Sequence, residues 1–252
     1  MTAIGVFVAT RWEMNAVGQA FPGNQSLALG SLRCVVARCG STEWWIIPMG
    51  VGPERATQSA QVALSAQEFA AVWSTGFAGA MRQARIGDVL VGRDVVTDDD
   101  PGAGGAAYAA DAGLVAWAQR ALATQQLSAQ VGRFVSVGRV ICRAEDKKRL
   151  AVAQGAIGLD MESAALALVA SRWKIPFAIV RTVSDLVDED LPLDFNLFLR
   201  PSEWVKGIAA CLAHPTSLLG LNRLRVQSRL AGEQLTAVFR AFAQLAAADG
   251  IA

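Results

Sequence analysis

Histidine is almost absent from this sequence of 252 residues: His214, followed directly by Pro215, is the only one. That argues against a multi-histidine metal site and against a Ser-His-Asp triad. Cysteine is also scarce. Cys34, Cys39, Cys142 and Cys211 form no CxxC pair, so neither a zinc site nor a redox dithiol is suggested. They read instead as small buried hydrophobes in a reducing compartment. Charge is sparse and balanced, with 23 basic and 22 acidic side chains, 18% charged residues and a net charge of +1. Such a chain carries no electrostatic footprint for nucleic acid. Long apolar runs are missing too, since no stretch approaches the roughly 18 uninterrupted residues of a spanning helix. The apolar Thr2 to Ala9 is short, lacks a basic flank and runs into Arg11 and Glu13, so no secretory leader is expected. A cytoplasmic protein is the expectation, and any chemistry falls to carboxylates.

What the chain does have is apolar bulk, 53% of residues and much of it alanine. A chain of this size buries roughly three quarters of the surface that its unfolded form exposes, so it needs no disulfide or metal staple. Short β-rich runs alternate with helical ones. Strands are expected at Ile4 to Ala9, Leu32 to Arg38, Trp44 to Met49, Ala71 to Thr75, Ile86 to Thr97 (its halves meeting at Gly92-Arg93), Val131 to Val137, Ala156 to Leu159 and Pro176 to Val183. Helices are expected at Pro53 to Phe69, Ala112 to Gln126, Glu145 to Gln154 and Glu162 to Trp173. The acidic, glycine-rich run from Asp98 to Gly105 reads as a loop. This alternation implies an α/β fold, a central mixed sheet flanked by helices in three layers. After Leu199 the sequence turns wholly helical, which divides it into an α/β domain, 1–199, and a helical C-terminal extension, 200–252.

In open α/β sheets ligands bind beyond the carboxyl ends of the strands. Polar clusters fall at such ends: Glu13, Gly50-Val51-Gly52, Gly76-Phe77-Ala78-Gly79, Asp160-Met161-Glu162 and Ser184-Asp185. Each has a local alternative. Glu162 could complement its helix dipole, Asp160 could be an N-cap, Glu13 could sit on the surface of a first helical turn, and the glycines could make tight turns. Asp185 stands out because it ends a strand containing Arg181, and a guanidinium near a carboxylate perturbs its proton affinity. No GxGxxG follows the first strand, which disfavours a dinucleotide enzyme.

Two segments carry a resemblance. Gly158-Leu159-Asp160-Met161-Glu162-Ser163-Ala164-Ala165, followed by Pro176-Phe177-Ala178-Ile179-Val180-Arg181-Thr182-Val183-Ser184-Asp185, resembles the signature of the purine nucleoside phosphorylase/nucleosidase superfamily, above all its methylthioadenosine/S-adenosylhomocysteine nucleosidase branch. The resemblance implies a nucleoside phosphorylase fold and cleavage of a purine N-glycosidic bond with release of adenine. It implies Asp185 as the acid that protonates the base, positioned by Ser184 and Arg181. Glu162 would bind the ribose hydroxyls, with Met161 packed on the sugar, and Glu13 would activate the attacking water. Val140 and Ile141 would line the base pocket, and Gly76, Phe77 and Ala78 another part of it. No metal or organic cofactor is implied, and a homodimer is.

There are departures. Phe77 stands where the hydrolases usually carry serine, and Gly138-Arg139-Val140-Ile141-Cys142-Arg143 lacks the acidic and aromatic residues expected there. The arginines that hold phosphate in the phosphorolytic branch are missing from Gly50 to Gly52 and Gly76 to Ala80, which favours water as nucleophile and leaves phosphate as the alternative. Arg11, Arg55, Arg82 and Arg139 are the candidates to reach the site in space. The altered pocket also allows a nucleoside-binding protein without turnover.

The nucleosidases are expected to end soon after the segment resembling Asp194 to Leu199, whereas this chain continues for about fifty residues. Leu191 to Asp194 together with His214 to Leu224 resembles the tail of the hopanoid-associated phosphorylase/nucleosidase group, which implies an adenosylhopane-like lipid nucleoside as substrate, with methylthioadenosine-type substrates next. In the tail, Leu235, Val238, Phe239, Phe242 and Leu245 share one helical face, with Arg223, Arg225, Arg229 and Arg240 around it. Either the helix closes over its own domain or a dimer partner, or it rests on the inner membrane surface and shields a lipid-like substrate.

Overall fold

A computed structural model describes residues 1–98, 107–191 and 216–251, with the side chains of 216–219 and 221 excepted. Most of the loop expected at Asp98 to Gly105, the segment Asp194 to Leu199, the boundary at 199/200, Cys211 and His214 therefore lie outside the described residues.

Along the chain run β1 (Thr2–Val8), α1 (Arg11–Gly18), β2 (Gln25–Leu29), β3 (Leu32–Cys39), β4 (Thr42–Pro48), α2 (Pro53–Ala66), β5 (Ala71–Ala80) and β6 (Val89–Thr97). Then come β7 (Ala107–Ala109), α3 (Ala112–Thr124), β8 (Ala129–Ser136), α4 (Ala144–Gln154), β9 (Ala156–Asp160), α5 (Ser163–Trp173), β10 (Phe177–Asp185) and a long last helix, here α6 (Thr216–Asp249). The local signals are ordinary ones. Pro53 opens α2 at its first turn, the Asp111 carboxylate accepts the Leu114 N–H to cap α3, and α4 stops at Gly155 in the left-handed region, φ 61°. Helix α1 and strands β2 and β7 are elements that the sequence pattern did not single out.

The expected mixed sheet is present, and at one end it closes on itself. β2, β3 and β4 form an antiparallel meander, and β4, β1 and β5 continue it in parallel. β5 pairs with β10, β10 with β6, β6 with β8, β8 with β9, and β9 returns to β5, so five strands form a ring. Strand β5 makes this possible by changing partners along one edge. Residues 71–75 pair with β1, whereas Gly79 and Ala80 pair with β9. The expected end of this strand at Thr75 is thus corrected. It runs on through the glycines, because its other edge stays paired with β10 as far as Gly79.

Alternation sends side chains to two faces. Ile4, Val6, Trp44, Ile46 and Trp73 face α1, α3 and α6, while Phe7, Trp45, Ile47 and Val72 face α2 and α5. The stripe on α6 belongs to the first of these layers. Leu235, Val238, Phe239 and Phe242 are fully buried, and Phe242 stacks at 5.1 Å from Trp73 and 5.0 Å from Trp117 between ring centroids. The apolar face that suggested a membrane or lipid-shielding surface is therefore spent on the protein's own core, while Arg223, Arg225, Arg229 and Arg240 remain outside. No helix of the described residues is long and apolar enough to cross a membrane. Cys34 is free and buried, and burial pushes its thiol up to about 11, so it behaves as a small hydrophobe.

Candidate active site

The carboxyl ends of β1, β5 and β10 and the end of β9 open on one cleft of about 350 Å³. Glu13 enters it from α1. Thr10 and Glu13 form a capping box: the Thr10 hydroxyl accepts the Glu13 N–H, and Glu13 Oε2 accepts the Thr10 N–H at 2.7 Å. The same oxygen accepts the Ala9 N–H at 3.0 Å and the Thr10 hydroxyl at 2.9 Å. Oε1 accepts the Phe77 N–H at 2.8 Å. That last bond falls in the gap where β5 changes partners, so Glu13 satisfies an edge donor that neither β1 nor β9 reaches. The approach needs a glycine beside it. Gly76 has φ +135°, and a Cβ there would lie 2.2 Å from Glu13 Oε1. Glu13 is 3% exposed and so is no surface residue.

Arg181, 1% exposed, organises the centre. Its Nε lies 2.8 Å from Asp160 Oδ2, Nη1 donates to the Phe77 carbonyl at 2.9 Å, and Nη2 donates to Ser74 Oγ at 3.0 Å. Asp160 also accepts from the Ser136 and Ser163 hydroxyls and from the backbone N–H groups of Glu162 and Ser163. The N-cap position of α5 is Glu162 rather than Asp160, but the Glu162 side chain makes no capping bond and Asp160 takes the N–H groups there. Glu162 Oε1 accepts the Gly52 N–H at 2.8 Å and its Oε2 lies 3.7 Å from Arg181 Nη2. Burial pushes Glu162 up to about 7, assisted by Asp160 and Glu13 and opposed by Arg181 and the Gly52 N–H. Near neutrality this group can both donate and accept hydrogen bonds.

Asp185 stands at the other end of the cleft. Ser184 Oγ lies 3.2 Å from its Oδ1, and Lys147 Nζ donates to its Oδ2 at 2.8 Å. Lys147 is the one fully buried residue of α4, and its second bond goes to the Leu186 carbonyl at 2.7 Å. The expected positioning of Asp185 by Arg181 is corrected here: the guanidinium turns to Asp160 and Glu162, and an ammonium takes its place.

The cleft is lined by Glu13, Phe77, Ala78, Val140, Met161, Glu162, Arg181, Ser184 and Asp185, so nine of the eleven residues singled out from the sequence come together. Gly76 contributes through its missing side chain. Ile141 does not line the cleft, because it packs into a small core with Met81, Val96, Val135 and Leu159. The strand and helix pattern missed Thr10, Ser74, Ser136 and Lys147. Lys147 alone carried a signal, since it shares a helical face with the half-buried Leu150 and Ala151, three and four residues on. Among the described residues Arg181 is the only arginine of the lining, and it is engaged with Asp160, Phe77 and Ser74. Arg11, Arg82 and Arg139 are exposed, and Arg55 packs beside Gly50. Among the described residues no group of three or more His, Cys, Asp or Glu side chains is placed to hold a metal ion.

Comparison with known proteins gives the same architecture. The family model described as Phosphorylase superfamily matches residues 3–206. Futalosine hydrolase of Helicobacter pylori superposes with a TM-score of 0.75 at 17% identity, covering 96% of this chain and 97% of that one. The 5'-methylthioadenosine/S-adenosylhomocysteine nucleosidase of Neisseria meningitidis, solved with methylthio-immucillin-A, gives 0.71 at 17%, covering 95% and 99%. The S-adenosylhomocysteine nucleosidase of Streptococcus pyogenes gives 0.72 at 19%, covering 95% and 96%. At such identities the likeness is one of fold.

Proposed function

The chain belongs to the phosphorylase superfamily, and on that footing we propose that it cleaves the N-glycosidic bond of an adenosine-type nucleoside by hydrolysis and releases adenine. The observation that carries this reading is the convergence of Glu13, Glu162 and Asp185 on one cleft. Breaking the bond builds positive charge on the ribose and negative charge on the base. Asp185 gives its proton to N7 of the departing adenine. Glu162 takes the ribose 2′- and 3′-hydroxyls and offsets the positive charge of the sugar. Glu13, its oxygens aimed by four hydrogen bonds, takes the proton of the attacking water. Water is favoured over phosphate because, among the described residues, the lining holds a single arginine, Arg181, and it is engaged with Asp160, Phe77 and Ser74.

The favoured substrate carries an apolar 5′ substituent, as an adenosylhopane-like lipid nucleoside does, with methylthioadenosine-type substrates as the alternative. One observation supports an apolar group: Val51, Phe77, Leu191 and Leu224 line the cleft. A homodimer belongs to the same reading and is measured by sedimentation.

The test is the release of free adenine from adenosine, methylthioadenosine and an adenosyl-lipid analogue, with and without phosphate. Asp185→Asn is expected to lose at least about 10²-fold in kcat, the usual contribution of a positioned general acid. Near-normal release by this variant refutes the acid role. Formation of ribose 1-phosphate refutes water as nucleophile. Binding of nucleoside without release from any substrate identifies a binding protein instead.

A further inference from the structure

A lysine with no exposed surface is costly to bury, and it persists only where its charge meets a partner. Lys147 has 0% side-chain exposure, and its two named partners are Asp185 Oδ2 and the Leu186 carbonyl. It comes from α4, whose neighbouring charged residues Glu145, Lys148 and Arg149 all face solvent. Its geometry thus points a buried cation at the one carboxyl that the proposed reaction uses as an acid. Gly79 lies close to that carboxyl as well, since a Cβ there would be 3.0 Å from Oδ2.

We propose that Lys147 is a positioning residue for Asp185, holding the carboxyl in place and stabilising the carboxylate that remains once the proton has gone to the base. This inference rests on the reading of Asp185 as the acid. In the step, the O–H bond of Asp185 breaks and an N–H bond forms on the departing base, while the ammonium keeps all of its own protons. Loss of the proton turns the carboxyl into a carboxylate. A fixed positive charge 2.8 Å away therefore favours the later state over the earlier one, and an interaction that strengthens along the reaction lowers the barrier. The ammonium also fixes one oxygen while Ser184 meets the other, which restricts rotation of the carboxyl.

The test compares two leaving groups. Adenine needs a proton in order to depart, whereas 4-nitrophenolate leaves as a stable anion. Lys147→Met is expected to lower kcat for the purine nucleoside by about tenfold to a hundredfold, within the range of general acid catalysis, with KM nearly unchanged. Hydrolysis of 4-nitrophenyl β-D-riboside by the same preparation is expected to stay within about twofold of the parent. The ratio of the two rates does not depend on the fraction of protein folded, so a destabilised variant remains readable. Lys147→Arg, which keeps a cation in the pocket, is expected to recover part of the nucleoside rate. Parallel loss on both substrates, or no loss on either, overturns the proposal and leaves Lys147 a structural residue. A parent protein that hydrolyses the nitrophenyl riboside but no purine nucleoside overturns the nucleosidase reading itself, and this inference with it.

Discussion

Replacing Glu162 by glutamine is expected to stabilise the protein and disable it in the same stroke. The residue is 4% exposed, and burial raises its pKa from 4.5 to about 7. The folded protein therefore holds this proton more tightly than the unfolded chain does. Stability associated with Glu162 is full below pH 4.5, declines as the pH rises and is lost above about 7. At 1.36 kcal/mol per pH unit, that interval corresponds to about 3 kcal/mol. Glutamine keeps the shape and the acceptor for the Gly52 N–H but never ionises. It forfeits the contact with Arg181 at 3.7 Å, which retains Asp160 as its nearer partner. Glu162→Gln should thus exceed the parent by about 2 kcal/mol at pH 8 and match it at pH 4.5. For a chain of this length the gain is roughly 4–8 °C in Tm. Thermal unfolding at pH 4.5, 6 and 8 measures the difference, and adenine release measures the loss of ribose binding, expected to be about 10²-fold or more. A stability difference that does not change with pH, or a variant less stable than the parent at pH 8, refutes the reasoning.

Gly76→Ala should abolish base release and cost about 3 kcal/mol or more in urea unfolding, from backbone strain at φ +135° and displacement of Glu13 from its buried hydrogen bonds. Full activity in this variant would show that Glu13 does not act from the position described. Phe239→Ala should cost about 3–5 kcal/mol, since the ring is fully buried among Phe21, Trp44 and Phe242. A loss below about 1 kcal/mol would mean that α6 is not part of the core in solution.

The pieces of this site were visible in the sequence to different degrees, and for physical reasons. Glu13, Glu162 and Asp185 end strands or begin helices, so the rule that ligands bind at strand ends already placed them on one side of the sheet. Which cation serves which carboxylate was not visible. Arg181 lies four residues before Asp185 in the same strand, and alternation puts both on one face. The twist and the bulge between Val183 and Asp185 then separate them, and Arg181 reaches Asp160 instead. Lys147 was hidden by its neighbours, because Glu145 to Arg149 reads as a solvated helical surface and one buried lysine hardly alters that pattern. The continuation of β5 was hidden by its glycines. A run of Gly76 to Gly79 signals a turn locally, and pairing with β10, from a hundred residues later, and with β9 at Gly79 keeps it extended.

The charges around the cleft do not balance, and the imbalance bears on the chemistry. Among the described residues, two buried cations meet four carboxyl groups. Arg181 takes Asp160, Lys147 takes Asp185, and Glu13 is satisfied by backbone and hydroxyl donors. Glu162 is left with one N–H and a distant share of Arg181, and it is the carboxylate that burial drives up to about 7. A fold under selection for stability alone would fill that position with an apolar residue or supply a further cation, because an underpaired buried carboxylate costs free energy at neutral pH. The missing cation is what the proposed reaction provides. As the glycosidic bond breaks, positive charge appears on the ribose, where Glu162 meets the sugar hydroxyls, and it acts on this carboxylate as an added arginine would. The electrostatic deficit of the resting cleft is then relieved only near the transition state, which is the condition for an interaction to accelerate the chemical step rather than merely tighten binding.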